Sequence, residues 1–411
     1  MNPHIVIVGA GQAGLQAGET LRAGGFDGPI TLLGEEPYLP YHRPPLSKAW
    51  LAGSMDADQL TMRTAMALER KKIAVHTGTK VASIDIAAKS VALKDGSSLS
   101  YTGLILATGA TPRTIPCAAG ADGAVLVLRS RDEANAVSAR LRRCAERGLP
   151  LVVVGGGFIG LEVAATARQL GVAVTILEAA PRLLERVLAR PLSEWYAQLH
   201  VAHGAQLVLN ALITGIETTA TDAVEVRLAD GRAFPAGLVL VGIGVTANDS
   251  LARLAGIECD AGIVVDAWGR TSAPGVTAAG DCTIRRLANG EMLRLESVQN
   301  AVEQGRAAAS TLLGLDRPFA GTPWFWSDQH DQKLQIAGLS RGADAWTVRG
   351  DMKSGGFSVF HFRAGRLIAV DSINATQDHF VARKLLASGV SPTAAQAADT
   401  ALDLATLITR T

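Results

Sequence analysis

The sequence predicts an α/β protein, with two Rossmann-like dinucleotide-binding domains followed by a small C-terminal α+β domain. Three observations carry that expectation. A strand–glycine–helix fingerprint opens the chain, and the same fingerprint returns at residues 151–160. From residue 317 onward the composition changes to tryptophans and alternating apolar segments. At 411 residues the chain exceeds what one core serves. Its 48% hydrophobic and 19% charged content predicts extensive burial and little disorder.

The first element is IVIV at residues 5–8, a β-branched run of the kind buried on both faces of a parallel sheet. It leads into Gly9-Ala10-Gly11-Gln12-Ala13-Gly14, a helical stretch, and a second strand, ITLLGEE, that ends with Glu35. Each position has a physical task. Gly9 permits the tight turn, Gly11 lets backbone approach a pyrophosphate, and Gly14 lets helix and strand pack closely. The phosphates meet the positive end of the helix, and Glu35 accepts from a ribose hydroxyl.

Residues 39–48, LPYHRPPLSK, come next. Adjacent prolines cannot extend a strand, and Pro44 disfavours a helical conformation at Arg43, so a fixed extended turn is expected. It either simply connects or holds Lys48 at a site. His42, inside it, reads as structural. LILATGATPR at 104–113 is an apolar strand ended by Thr108, Gly109 and Pro112, and LVLVGIGVTAN at 238–248 repeats that form. An insertion explains this order. The expected divisions are 1–112 and 243–316 for a first nucleotide domain, 113–242 for a second, and 317–411 for the C-terminal domain.

The second fingerprint, LVVVGGGFIGLEVAATARQLGVAVTILE, sets Gly155, Gly157 and Gly160 in the same frame and closes on Glu178. Two fingerprints imply two dinucleotides, a bound flavin and a diffusible nicotinamide. Glu178 favours NADH, because a carboxylate there repels the extra phosphate of NADPH. Arg182 and Arg186 follow it and read as a solvated helix face. In the C-terminal part, FSVFHFRAGRLIAVDSI and QDHFVARKLLASG predict a small antiparallel sheet with helices.

Composition excludes several function classes. A formal net charge of +1 gives no general attraction for nucleic acid or anionic lipid. No unbroken apolar run approaches about 18 residues, so no membrane span is expected. Cys117, Cys144, Cys259 and Cys282 form no CxxC or metal-ligand pair, which fits a reducing, cytoplasmic setting.

GAGQAG, RPPLSK, LATGATPR, GGGFIGLEVAA, AAGDC, ESVQNAVEQ and PWFWSDQ occur in this order. Together they resemble the FAD-dependent NADH:ferredoxin reductases that serve bacterial Rieske dioxygenases and haem monooxygenases, within the glutathione-reductase-like fold. The resemblance covers nearly the whole chain. It implies an FAD site with Ala13, Glu35, Lys48, Val81, Arg129, Asp281 and Val298, and a phosphate loop of Gly9, Gly11 and Gly14. Some relatives have proline where this chain has Gln299. The resemblance implies an NADH site with Gly155, Gly157, Gly160 and Glu178, and Gly244 near the nicotinamide end. It also places Lys48 beside the flavin, paired with Glu162, and Trp326 towards the flavin and the electron-acceptor face. The residues alone fit equally a surface lysine, a helix N-terminal carboxylate and a core tryptophan.

The implied reaction passes electrons from NADH through FAD, singly, to a small, acidic two-iron ferredoxin in a transient complex. Residues 285–384 hold 13 Lys and Arg against 10 Asp and Glu, so Arg285, Arg286 and Arg306 are candidate docking charges. The expectation is a cytoplasmic monomer or weak dimer, binding neither nucleic acid nor membrane. Two other readings of this fold make different demands. A flavin-dependent NADH oxidase or disulfide reductase of this fold calls for a redox cysteine soon after the first strand–helix–strand unit, and none precedes Cys117. A signalling flavoprotein like apoptosis-inducing factor calls for a strongly basic surface, which a sequence pI of about 7.8 does not supply.

Overall fold

The computed structural model describes residues 3–116, 123–220, 223–287 and 289–410; Cys117 lies outside them. The chain divides into two compact units. One comprises Met1–His42, Asp56–Thr111 and Val245–Gly321, the other Arg43–Met55, Pro112–Gly244 and Thr322–Thr411.

The first unit is built on a five-stranded parallel sheet in the order Val276–Ala278, Gly103–Leu106, Ile5–Val8, Ile30–Leu33, Ile73–His76. Ile5–Val8 lies in the middle, with Ile5 opposite both Ile30 and Gly103. All four of its residues are buried, as a strand covered on both faces requires. The helices Gln12–Ala23 and Val298–Leu312 cross closely over one face of this sheet. Gly305 makes that possible, since a Cβ there would stand 2.6 Å from the Ala13 carbonyl oxygen.

The second unit has its own parallel sheet, in the order Gln206–Leu209, Val174–Glu178, Leu151–Val154, Leu238–Val241, Val125–Leu126. Its C-terminal part is the expected antiparallel sheet, in the order Trp324–Gln329, Gln332–Gly338, Arg366–Ile373, Gly356–Arg363, Ala345–Asp351. Strand alternation separates its two faces. Helix Thr376–Ser388 covers one, where Ala382 and Leu385 join Ala337, Phe360 and Val370 in a core. On the other, Phe325, Ser327, Gln329 and Phe357 meet the helices Phe158–Gln169 and Arg190–Ala202.

The proline segment departs from the expected extended turn. Pro44–Ser47 is a 3₁₀ turn, Arg43 is helical at φ −80° and ψ −33°, and Lys48 closes the turn. The prolines occupy the first turn, where the missing N–H groups had no partner to lose. The Arg43 carbonyl accepts from the Leu46 N–H at 3.0 Å, and its guanidinium donates to the Arg129 carbonyl at 2.8 Å. These bonds offset the steric preference against a helical residue before proline.

Among the described residues, no helix is long and apolar enough to cross a membrane. No group of three or more His, Cys, Asp or Glu side chains among them could hold a metal ion.

His330 stacks on His203 at 3.8 Å, and burial, reinforced by His200 and His203, pushes its pKa from 6.5 down to about 4. Between those values the unfolded chain binds a proton that the folded one refuses, so stability falls as pH drops through that window. We predict a urea midpoint that declines less steeply between pH 7 and 4.5 in His330→Asn than in the wild type. Asparagine suits the site because His330 has φ +55°. Parallel slopes would refute the assignment.

Candidate functional site

In the first unit, Gly9 turns at φ +114°, and a Cβ there would stand 2.1 Å from the Ala107 carbonyl oxygen. At Gly14 a Cβ would stand 2.0 Å from the Gly9 carbonyl oxygen, so the helix begins pressed against the strand end. Gly11 differs, because a Cβ there meets nothing within 4 Å. The helix it opens has no side-chain cap and no acid in its first turn. Free backbone donors at an open, electropositive turn fit a diphosphate.

Glu35 is exposed beside this turn, and Lys80 pairs with it at 2.5 Å. Val81 follows and is buried. Asp281 is half-buried after Gly280, whose N–H donates to Gln304 Oε1 at 2.7 Å. Val298 starts a helix whose cap, Ser297, accepts from the Asn300 N–H at 3.1 Å. Gln299 is buried within that first turn.

The second unit repeats the cradle. Cβ atoms at Gly155 and Gly160 would stand 2.6 and 2.5 Å from the carbonyl oxygens of Gly242 and Gly155. At Gly157 the nearest atom would be the Gly242 carbonyl oxygen, at 3.7 Å, and the helix again lacks a side-chain cap. The residues therefore fit a second anionic dinucleotide. Glu178 holds this loop, accepting from the N–H groups of Gly156 at 2.5 Å and Ala180 at 2.7 Å. A carboxylate has about four lone-pair sites, so capacity for a ribose hydroxyl remains.

Arg182 and Arg186 do not form a solvated helix face, because the next helix begins only at Arg190. Arg182 is a structural brace, donating to the carbonyls of Leu188 at 2.6 Å and Glu185 at 2.8 Å and to Ser193 Oγ at 2.8 Å. Arg186 is exposed, and its guanidinium reaches within 3.5 Å of where a Cβ at Gly244 would stand. Gly244 has φ +102°.

Lys48 and Glu162 meet in the same unit, with Lys48 Nζ 2.6 Å from Glu162 Oε2. The Glu162 side chain is only 4% exposed and that of Lys48 22%. Two serines complete the carboxylate's shell: Ser47 Oγ donates to Oε2 at 2.5 Å and Ser327 Oγ to Oε1 at 2.6 Å. Thr166, one turn beyond Glu162, donates to the Ser47 carbonyl at 2.8 Å. A buried carboxylate is tolerated when every oxygen is paired, and here both are. Neither serine was legible as part of the site, since the bonds span 115 and 165 residues.

Trp326 is half-buried, with its ring 5.6 Å from that of Trp324. Arg129 precedes the capped helix Arg131–Arg147, and its N–H donates to Glu133 Oε2 at 2.8 Å. The proposed docking arginines are not free charges. Arg285 lies over the Phe319 ring and donates to its carbonyl at 3.0 Å, while Arg286 pairs with Glu258 at 2.6 Å and Arg306 with Glu303 at 3.0 Å.

Residues 3–305 match the pyridine nucleotide-disulphide oxidoreductase family, and residues 324–408 match the reductase C-terminal family. Rhodocoxin reductase of Rhodococcus erythropolis is 43% identical over 407 residues, covering 99% of this chain and 94% of that protein. The ferredoxin–NAD(+) reductase component of the anthranilate 1,2-dioxygenase system of Burkholderia cepacia is 40% identical over 405 residues, 98% of each chain. Among solved structures, the covalent putidaredoxin reductase–putidaredoxin complex matches with a TM-score of 0.94 at 38% identity, covering 100% of this chain and 99% of that one.

The glycine geometry separates packing from ligand binding. Gly14→Ala should destabilise the flavin-free protein by about 1–3 kcal/mol through overpacking. Gly11→Ala should leave its Tm unchanged and weaken flavin retention. Equal Tm losses in the two variants would refute that division.

Proposed function

The chain belongs to the pyridine nucleotide-disulphide oxidoreductase family, with FAD and NAD(H) as cofactors, and on that premise we propose that it is an NADH-dependent ferredoxin reductase. Its partner is a small, acidic two-iron ferredoxin in a transient complex, which feeds a monooxygenase or a Rieske dioxygenase. The observation that carries this reading is likeness along the whole chain, C-terminal part included, to reductases named for ferredoxin-dependent systems.

Bound FAD supplies acceptance of a hydride and release of single electrons. The chain's own residues bind and orient. Gly9, Gly11 and Gly14 with Glu35, Val81, Asp281 and Val298 hold one dinucleotide. Gly155, Gly157, Gly160, Glu178 and Gly244 hold the other, with Arg186 as an added cation beside it. Lys48, paired with Glu162, would supply a positive charge that favours negative charge on the reduced flavin. Trp326 lines the side from which electrons leave. We assign residues 1–112 and 243–316 to the FAD domain, 113–242 to the NADH domain and 317–411 to the interface domain, in a cytoplasmic monomer or weak dimer.

Cysteine chemistry finds no support among the described residues. Cys144 and Cys282 are buried, Cys259 is half-buried, and none is in a disulfide. Burial is the largest effect on each thiol and raises its pKa, which opposes thiolate formation.

Purified holoenzyme with NADH should reduce cytochrome c rapidly only when a two-iron ferredoxin is added. Rapid turnover of glutathione or coenzyme A disulfide instead would overturn the proposal. Lys48→Met should slow flavin bleaching by NADH about 10- to 100-fold, with little change in NADH KM. Glu178→Gln should raise that KM and narrow the preference for NADH over NADPH; unchanged values would remove Glu178 from the nicotinamide site.

A further inference from the structure

Helix Phe158–Gln169 presents Phe158, Glu162 and Thr166 at i, i+4 and i+8, hence along one face. The C-terminal strand Trp324–Gln329 runs against this face. Phe325 packs on Phe158 with centroids 4.6 Å apart, and Ser327, two residues on, reaches Glu162. Two strand residues advance about 6.7 Å and four helical residues about 6 Å, so both contacts form together. Ser327 is fully buried and lies next to Trp326, whose side chain alternates to the opposite face.

The hydroxyl proton of Ser327 has one assignment. Gln329 Nε2 donates to Ser327 Oγ at 3.2 Å, while Gln329 Oε1 lies 2.9 Å from His200 Nε2. Gln329 thus spends a donor on the serine and its acceptor on the histidine. Ser327 receives from Gln329 and so directs its single proton to Glu162 Oε1, 2.6 Å away. On the other oxygen, Lys48 and Ser47 both converge on Oε2. The carboxylate is therefore fastened at Oε1 from the C-terminal strand and left to orient the ammonium with Oε2.

We propose that Ser327 is a positioning residue for hydride transfer, acting through Glu162 to hold the charged Lys48 in place. It rests on the role given to Lys48 above. Without the hydroxyl, Glu162 Oε1 loses its donor in a buried site, and the carboxylate turns towards the remaining donors. That change loosens Lys48. The C-terminal strand thereby sets the charge beside the ring as well as carrying Trp326.

A double-mutant cycle tests this on the FAD-loaded full chain, with Ser327→Ala, Ser327→Cys, Ser327→Thr, Lys48→Met and the Ser327→Ala/Lys48→Met pair. The readouts are the rate of flavin reduction by NADH, the FAD midpoint potential and the Tm. Ser327→Ala should slow reduction about tenfold and shift the potential in the same direction as Lys48→Met, with a modest loss of Tm from the unsatisfied Glu162 Oε1. Ser327→Thr should restore both, and Ser327→Cys, which keeps the volume but weakens the donor, should follow alanine. In the Lys48→Met background, Ser327→Ala should add nothing. If Lys48→Met is slow while Ser327→Ala and Ser327→Cys match wild type, or if the two effects add fully, the inference is overturned and the role of Lys48 stands. If Lys48→Met itself leaves rate and potential unchanged, the role of Lys48 fails and the inference with it.

Discussion

Two helices in this protein begin with their first turn pressed against the end of a strand, and this close approach constrains much else. A side chain at Gly14 or Gly160 would come within 2.0 or 2.5 Å of a carbonyl oxygen of its own loop. With glycine there, the backbone donors of the helix face an open turn at Gly11 or Gly157 and no side chain competes for them. The same crowding recurs at Gly305, where helix Val298–Leu312 crosses Ala13. An anion site of this kind is thus a product of packing, and its electrostatics follow from backbone that the packing leaves unpaired.

The second feature is a buried charge resolved by three separate stretches of chain. Glu162 takes an ammonium and a hydroxyl from the proline turn and another hydroxyl from the C-terminal strand. An isolated carboxylate at such burial would be costly, and breaking one partner away would leave the rest uncompensated. The stretch after the first strand–helix–strand unit, residues 39–48, carries this lysine and no cysteine.

Much of the fold was legible because its signals are local. The IVIV and LVVV strands, the glycine spacing and the terminal acids each sit within a few residues of one another, and both parallel sheets formed around them. The proline segment was misread for an equally local reason. Steric preference at Arg43 was weighed without the Leu46 and Arg129 hydrogen bonds that outweigh it. Arg182 and Arg186 were given to a helix that starts later, at Arg190. The arginines at 285, 286 and 306 are candidate docking charges by sequence, and only the fold sets Phe319, Glu258 and Glu303 against them.

By itself, the sequence determined two strand–glycine–helix units, the acids at the ends of their second strands and a C-terminal sheet of different character. Those follow from backbone sterics and periodicity, which act over a turn or a strand. Only the tertiary structure decided which groups surround Glu162, that Lys80 pairs with Glu35, and that the Phe325 and Ser327 face of its strand meets helix Phe158–Gln169. Hydrogen-bond partners more than a hundred residues apart leave no periodic trace. They are selected by the packing of helix against sheet, where a strand step and a helix turn nearly coincide.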